Sequence, residues 1–318
     1  MNEENETFVT EFVLVGHLSL LNYPKLFFTL LLMFYLISQV GNALIISLVK
    51  LDSRLHTPMY FFLCNLSLVE IFYTSVTFPT ILSVSLARVK WLSVGSCLLQ
   101  ICFFHFLGAV ECLLLTVMAY DRYVAICRPL HYRTMMSGTV CMSLAVTCWL
   151  SGFFNFLALI LLTSRLRFCG AKTIANFFCD IPPLFKLACG DISINKVMLT
   201  VGDILVGILP CLLIVISYAW IISTILKIHS SQGRKKVFST CASHLTVVCI
   251  FFSTSLLIYM KPSSSYFSDW EELLSLVYTV LTPMLNPLIY SLRNNEVKAA
   301  LKKVFSSKIS SECIRRLT

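Results

Sequence analysis

Ionisable side chains in apolar surroundings are where chemistry or switching would sit, because hydrocarbon makes each of them costly to keep. Glu70, Glu111, His105 and Asp203 all lie inside long apolar stretches, and Asp121-Arg122 stands at the end of one. Glu70 is about twelve residues in from Pro58, and Glu111 about ten from Tyr120. At ~1.5 Å of helix rise per residue, the two reach a similar depth. Two carboxylates in one layer would hold a cation such as sodium or share a proton. The competing reading makes them interhelical glue, hydrogen-bonded to Asn42, Ser67 or Asn286. His105 and Asp203 would line a cavity; alternatively His105 is a satisfied bundle histidine and Asp203 snorkels to the headgroups. Ser255, Tyr259 and Thr279 are weaker candidates at matching heights, with Phe104, Leu205 and Val206 as apolar wall.

These side chains need elements that cross a non-aqueous layer. The chain has 318 residues, of which 57% are hydrophobic and 13% charged, with a mean hydropathy of +0.82. A soluble domain is about half apolar and a quarter charged, so this composition calls for lipid around it. Nearly uncharged stretches run over Leu26–Val49, Pro58–Ala87, Leu98–Tyr120, Val140–Leu162, Val197–Leu226, Val237–Met260 and Leu273–Leu292. A hydrocarbon core of ~30 Å takes about 20 helical residues, and each stretch supplies them. The expected fold is therefore an all-α membrane protein, a seven-transmembrane helix bundle with a short amphipathic C-terminal helix. Residues 1–25 form an extracellular N-terminus, 26–292 the bundle, and 293–318 a cytoplasmic tail. In that tail Val297, Leu301 and Val304 share one helix face and Lys298, Lys302 and Lys303 another, which suits a helix lying on the membrane surface. Seven crossings leave no room for a soluble catalytic domain.

An acidic start, Met1-Asn-Glu-Glu-Asn-Glu, is unlike a signal peptide, so the first stretch reads as an uncleaved signal anchor. With the N-terminus outside, sixteen of the 25 Lys and Arg fall on the inner side and nine outside, as the positive-inside rule favours. That bias accounts for the net charge of +9 without any nucleic-acid partner. The sequon Asn5-Glu-Thr7 then lies outside and is a glycosylation candidate; Asn65-Leu-Ser67 matches the same pattern within a span, out of the enzyme's reach. Cys97, Cys169, Cys179 and Cys189 also fall outside, where disulfides form; four cysteines allow three pairings. No neighbouring His gives them metal-ligand spacing. Pro283 and Pro287 break the last stretch, leaving backbone carbonyls for Asn286 or nearby Ser and Thr to satisfy.

Five strings in order sharpen this reading. They are Leu55-His-Thr-Pro-Met-Tyr60, Met118-Ala-Tyr-Asp-Arg-Tyr-Val-Ala-Ile-Cys127, Ser217-Tyr218, Lys236-Val-Phe-Ser-Thr-Cys-Ala-Ser-His244 and Pro283-Met-Leu-Asn-Pro-Leu-Ile-Tyr290. Together, over about residues 8–305, they resemble an odorant receptor of the rhodopsin-like G-protein-coupled receptor superfamily, of the class that detects volatile odorants. The resemblance implies a switch of Asp121, Arg122 and Tyr123 with Tyr218 and Tyr290 swinging toward it. It implies disulfides Cys97–Cys179 and Cys169–Cys189. A mid-membrane polar site would be formed by Asn42, Glu70, Glu111 and Asn286. A ligand pocket would lie among spans three, five, six and seven, with Phe104, His105, Asp203, Val206, Phe252, Ser255, Tyr259 and Thr279. Its partners would be a volatile odorant, a heterotrimeric stimulatory G protein that raises cAMP, and plasma-membrane lipid. It would need no cofactor.

Two features of this chain depart from the pattern. Phe251-Phe-Ser253 stands where the family usually has Phe-Tyr-Gly, so a hydroxyl is missing and any toggle there works by packing. No Asp or Glu lies between Lys227 and Asp269, so no acid at the foot of span six can hold Arg122. The expected restraint is the Asp121–Arg122 pair together with polar contacts around Ser239, Thr240 and His244. A proton-linked transporter or channel using Glu70, Glu111 and His105 would need a continuous polar path, and span six offers few buried polar groups. A same-fold receptor for a non-odorant metabolite is the nearer alternative.

Overall fold

The computed structural model describes residues 9–16, 22–169, 171–259, 269–293 and 297–303. Asn5 lies outside these, as do the side chains of Ser239, Thr240, Tyr259 and Tyr290. Seven helices are long and apolar enough to cross a membrane. In order they are span one, Pro24–Leu51; span two, Pro58–Ala87; span three, Val94–Cys127; span four, Gly138–Thr163; and span five, Ser193–Leu226. Span six is Ser231–Tyr259, and span seven runs through Asp269–Leu276, the π-helical turn Val277–Leu281 and Thr282–Arg293. A second π turn, Ile204–Ile208, widens span five.

Local chemistry sets where the helices start. Proline opens spans one and two, where its missing N–H has no intrahelical partner to lose. Ser93 caps span three by accepting from the Ser96 N–H at 3.2 Å, and Ser137 caps span four from Val140 at 3.5 Å. Helix three outruns its apolar stretch, continuing past Tyr120 to Cys127. Asp121-Arg122 therefore sits within a helix rather than after one.

Span seven is fixed to span one by the consequence of a proline. Pro287 has no N–H to give the Pro283 carbonyl one turn earlier. Ser38 donates to that carbonyl at 3.1 Å and Asn42 at 3.4 Å, both from span one. Asn42 is thus a partner for a freed backbone carbonyl, not a member of the Glu70–Glu111 layer as expected, and Asn286 is not the group that satisfies it. Glycine makes the close approach tolerable, since a Cβ at Gly41 would stand 3.0 Å from that of Pro287. Gly152 does the same between spans four and three, where a Cβ would meet Val110 at 2.5 Å. Asn65 is taken by the Trp149 indole at 3.1 Å, which binds span four to span two.

One end of the bundle carries a cap that the apolar pattern does not foreshadow. Strand β1, Glu11–Val15, pairs antiparallel with β2, Val89–Ser93, placing Val13 opposite Trp91. It also pairs in parallel with β4, Thr173–Ile174, while β3, Arg167–Phe168, pairs with β5, Ala188–Cys189. Alternation turns Phe12 and Leu14 inward, both fully buried. Disulfides Cys97–Cys179 and Cys169–Cys189 join the long loop to span three and to itself, the pairing that the resemblance implies. At the far end, residues 297–303 are helical, with Val297 and Ala300 buried and Lys298, Lys302 and Lys303 exposed.

Candidate functional site

Under the cap lies a cavity of about 510 Å³, within the range that suits a small ligand. Phe104, His105, Gly108 and Cys112 of span three face it, as do Asp203, just before the π turn of span five, and Leu205 and Val206 within it. Span six contributes Ser255 and span seven Tyr278. Beside the Cys97–Cys179 disulfide, one glutamine latches the roof. Gln100 donates to the Val76 carbonyl at 2.9 Å and to Thr80 at 3.0 Å, and accepts from the Cys179 N–H at 3.0 Å. Phe178 of the roof packs on Phe104, ring centroids 5.2 Å apart. Asp180 accepts from the Ile181 N–H at 2.7 Å and approaches His105 Nε2 at 3.4 Å, so the roof reaches the cavity's own histidine.

Below the cavity, the two mid-span carboxylates meet. Glu70 and Glu111 are buried in hydrogen-bond contact, and the Asn286 amide donates to Glu70 Oε1. Glu70 Oε2, Glu111 Oε1, Thr279 Oγ1 and Thr282 Oγ1 are buried with no hydrogen-bond partner among the described residues. Thr279, Thr282 and Asn286 recur every three to four positions, hence on one face of span seven. Unsatisfied buried oxygens need a water, proton or ion, and hard oxygen donors of this kind fit sodium. No group of three or more His, Cys, Asp or Glu with metal-binding geometry occurs among the described residues.

At the uncapped end, spans three, five and six are tied by a single imidazole. His244 is buried, with Nε2 3.1 Å from the Leu115 carbonyl and Nδ1 2.8 Å from the Tyr218 hydroxyl. A carbonyl only accepts, so Nε2 carries the proton and Nδ1 accepts from Tyr218. Cys127 and Thr224 add a second link between spans three and five at 3.2 Å.

Beyond this geometry stands the sequence's kinship. A family model described as "Olfactory receptor" matches residues 31–308. Human olfactory receptor 6N1 is 49% identical over 303 residues, covering 95% of this chain and 97% of that protein. Mouse olfactory receptor 5AR1 is 46% identical over 308 residues (97% and 99%), and mouse 1E16 is 47% identical over 305 (96% and 97%). The chain belongs to the olfactory receptor family. That family is one of G-protein-coupled odorant receptors, not of enzymes, and this member is a multi-pass membrane protein.

Set against the expected ligand pocket, the lining of this cavity extends further onto span four. Phe104, His105, Asp203, Val206 and Ser255 line it together. Phe252 and Thr279 do not. Phe252 is buried edge-on to Phe251 at 5.3 Å, and the π turn presents Tyr278 to the cavity while Thr279 is fully enclosed. Span four, absent from the expected pocket, supplies Ser151, Phe154, Asn155, Ala158 and Leu159. The one sequence signal for that wall was its small and polar run Ser151-Gly152 with Asn155, in a stretch otherwise of large apolar residues.

At the expected Asp121–Arg122 restraint, hydrogen bonding adds a further partner, with the Arg122 charge still acting on Asp121. Asp121 accepts from the Tyr132 hydroxyl at 2.8 Å, and the Arg122 side chain lies against Met59 of span two. Consecutive residues on a helix point about 100° apart, so Asp121 turns toward the loop and Arg122 away from it. Burial first, then the Asp121 charge, hold the Tyr132 phenol above its usual range, so it stays protonated and donates. Of the polar contacts expected at the foot of span six, His244 makes its own, while Ser239 and Thr240 lie outside the described side chains.

Proposed function

We propose that this receptor binds small, mostly apolar volatile molecules in the cavity beneath the strand cap and passes the signal to a stimulatory G protein, raising cAMP. The observation that carries this reading is the cavity of about 510 Å³, built largely from apolar side chains with few polar groups. It lies on span three, whose other end bears Asp121-Arg122 beside the His244 tie. In this reading the capped end faces outside and residues 297–303 rest on the cytoplasmic leaflet in contact with plasma-membrane lipid. Ligand favours the state in which spans five and six part from span three, exposing Arg122, Tyr123, Tyr218 and Tyr290 to the G protein. A ligand moves that balance only by binding the two states unequally. Asn42 has its own structural task, so the polar layer reduces to Glu70, Glu111 and Asn286, holding one sodium ion or one shared proton. The test is a cAMP reporter in cells expressing the receptor, challenged with a panel of volatiles. Responses that vanish when Gly108→Phe fills the cavity, at unchanged surface density, support the reading. Responses that survive the filling refute the location.

A further inference from the structure

One side of the cavity is not closed. Phe104 and Tyr278 line it and are 3% and 6% exposed, so bordering the cavity does not by itself make a side chain accessible. Phe154 of span four and Leu205 of span five line it too, yet are 65% and 56% exposed. Met198 and Val201, also lining residues of span five, are exposed with them. The accessible faces of these four look outward, and the wall between spans four and five is an opening. Nearer the cap, two contacts hold these spans together. Asn195 donates to the Leu162 carbonyl at 3.0 Å, and a Cβ at Gly202 would stand 3.5 Å from Asn155 Oδ1. After Gly202 comes the π turn Ile204–Ile208, whose wider winding takes the helix out of the register those contacts follow. Past the turn, Leu209–Leu226 packs against span three. Gly207 in the turn borders the cavity, and a Cβ there would meet nothing within 4 Å. Phe154 lies nine residues from the span-four end at Thr163, ~14 Å of helix rise, so the gap faces hydrocarbon rather than water. In the roof, by contrast, Phe177, Phe178, Ile181 and Leu184 are buried, and the Cys97–Cys179 bridge ties that loop to span three.

Resting on the reading of this cavity as the odorant site, we propose that the ligand enters sideways from the bilayer, through the gap between spans four and five, as a small amphiphile already dissolved in lipid. Each methylene favours lipid over water by roughly fourfold, so such a molecule is most concentrated beside this gap. The edges of the gap also sort what passes. Phe154, Val201 and Leu205 are apolar, while Ser151, Asn155 and Asp203 border the same wall with polar groups. A phospholipid tail would cover those polar groups and return nothing to them. A short-chain alcohol brings a hydroxyl that both donates and accepts there.

The test uses the full-length receptor in phosphatidylcholine vesicles with a probe that cannot leave the bilayer. It is a phospholipid with one shortened chain that carries a diazirine and ends in a hydroxyl. After photolysis, mass spectrometry locates the label. The chain is expected to mark Gly108 and Cys112 on the span-three wall of the cavity, as well as the exposed Leu213 of span five. Leu205→Trp narrows the gap and should lower cavity labelling, relative to Leu213 in the same sample, roughly fivefold or more, the scale of overpacking a fitted wall. Ser151→Phe narrows it from span four and serves should Leu205→Trp fail to fold. Gln100→Leu, which loosens the roof, should leave the ratio unchanged, and the same probe without its hydroxyl should mark the cavity severalfold less. Label on Leu213 with none in the cavity overturns the proposal, as does cavity labelling indifferent to both Leu205→Trp and Ser151→Phe. A rise with Gln100→Leu overturns it in favour of entry through the roof. Equal labelling without the hydroxyl overturns it in favour of a gap that holds lipid tails. Labelling needs no signal, so the odorant reading is judged separately, by the cAMP responses of Gly108→Phe.

Discussion

Replacing His244 by phenylalanine isolates what holds the uncapped end shut. The imidazole donates to the Leu115 carbonyl at 3.1 Å and accepts from Tyr218 at 2.8 Å. Its ring also stacks on that of Tyr218, centroids 5.8 Å apart and planes within 14°. Phenylalanine keeps the stack and roughly the volume while deleting both hydrogen bonds. Each is worth about 0.5–1.5 kcal/mol net, so the pair contributes ~1–3 kcal/mol to the arrangement in which spans three, five and six touch. That shifts the ratio of active to resting receptor by roughly 5- to 150-fold. Were about 1% of the receptor active without ligand, a shift of ~2 kcal/mol would bring it to about a quarter. The assay is ligand-free cAMP, normalised to receptor at the surface. Tyr218→Phe deletes one of the two bonds and should give a smaller rise. Basal signalling of His244→Phe equal to or below that of the unaltered receptor, at matched surface density, would refute the reasoning.

Gly152→Ala should lower the melting temperature of the purified receptor, at a cost of about 1–3 kcal/mol, because the added Cβ would meet Val110 at 2.5 Å and the Phe106 carbonyl at 3.1 Å. Gln100→Leu should loosen the roof by leaving the buried Cys179 N–H without its acceptor, at about 1–3 kcal/mol; hydrogen exchange over residues 177–181 should rise, and unchanged protection would count against the latch. Asp121→Leu should raise basal signalling more than Asp121→Asn, because asparagine still accepts from Tyr132 at this 2.8 Å contact; equal effects would mean that the carboxylate's charge, not its hydrogen bond, is what matters. Glu111→Gln should abolish any sodium dependence of basal activity, which is then measured by replacing sodium with choline.

Most of the architecture was legible because lipid imposes a strong and simple rule. A helix of about 20 apolar residues is forced wherever the chain crosses, and spans one to seven follow the apolar stretches closely. The shared depth of Glu70 and Glu111 came from counting rise per residue, since a regular helix converts sequence offset directly into height. Helix ends were less legible. Asp121-Arg122 looks like a boundary by hydropathy, yet the helix runs on to Cys127 because the backbone there pairs with itself whatever the side chains prefer. The cap strands were invisible, because β1 and β4 are far apart in sequence and each is too short to show period-two alternation decisively. The two π turns were equally hidden. A one-residue widening leaves no compositional trace, yet it decides that Tyr278 and not Thr279 faces the cavity. Partners of freed carbonyls were misassigned for a related reason: proline announces which carbonyl is orphaned, but not which neighbouring helix will supply Ser38 and Asn42.

The cavity and the His244 tie are joined by span six, and this is where packing does what a missing hydroxyl cannot. Tyr278 lines the cavity and packs against Phe251, ring centroids 5.6 Å apart. Phe251 is seven positions from His244, two turns along the same helix and so on nearly the same face. A ligand pressing on Tyr278 therefore bears on the face of span six that carries the tie. The π turn beneath Tyr278 lets its ring shift without breaking a regular run of hydrogen bonds, since its own are already irregular. In the proposed reading the element that both sites bias is span six, and the His244→Phe experiment tests whether it has two states. Span six is held at one end by the hydrogen bond His244 donates to Leu115 and the one it accepts from Tyr218, and touched at the other by an aromatic contact. Phe251 and Phe252 offer no polar group to the cavity, so on span six the only hydroxyl facing it among the described residues is that of Ser255, and the path through Tyr278 to Phe251 works by packing. In the proposed reading, polar groups from spans three, five and six (His105, Asp203 and Ser255) meet the ligand, and the aromatic contact between Tyr278 and Phe251 relays its volume to span six.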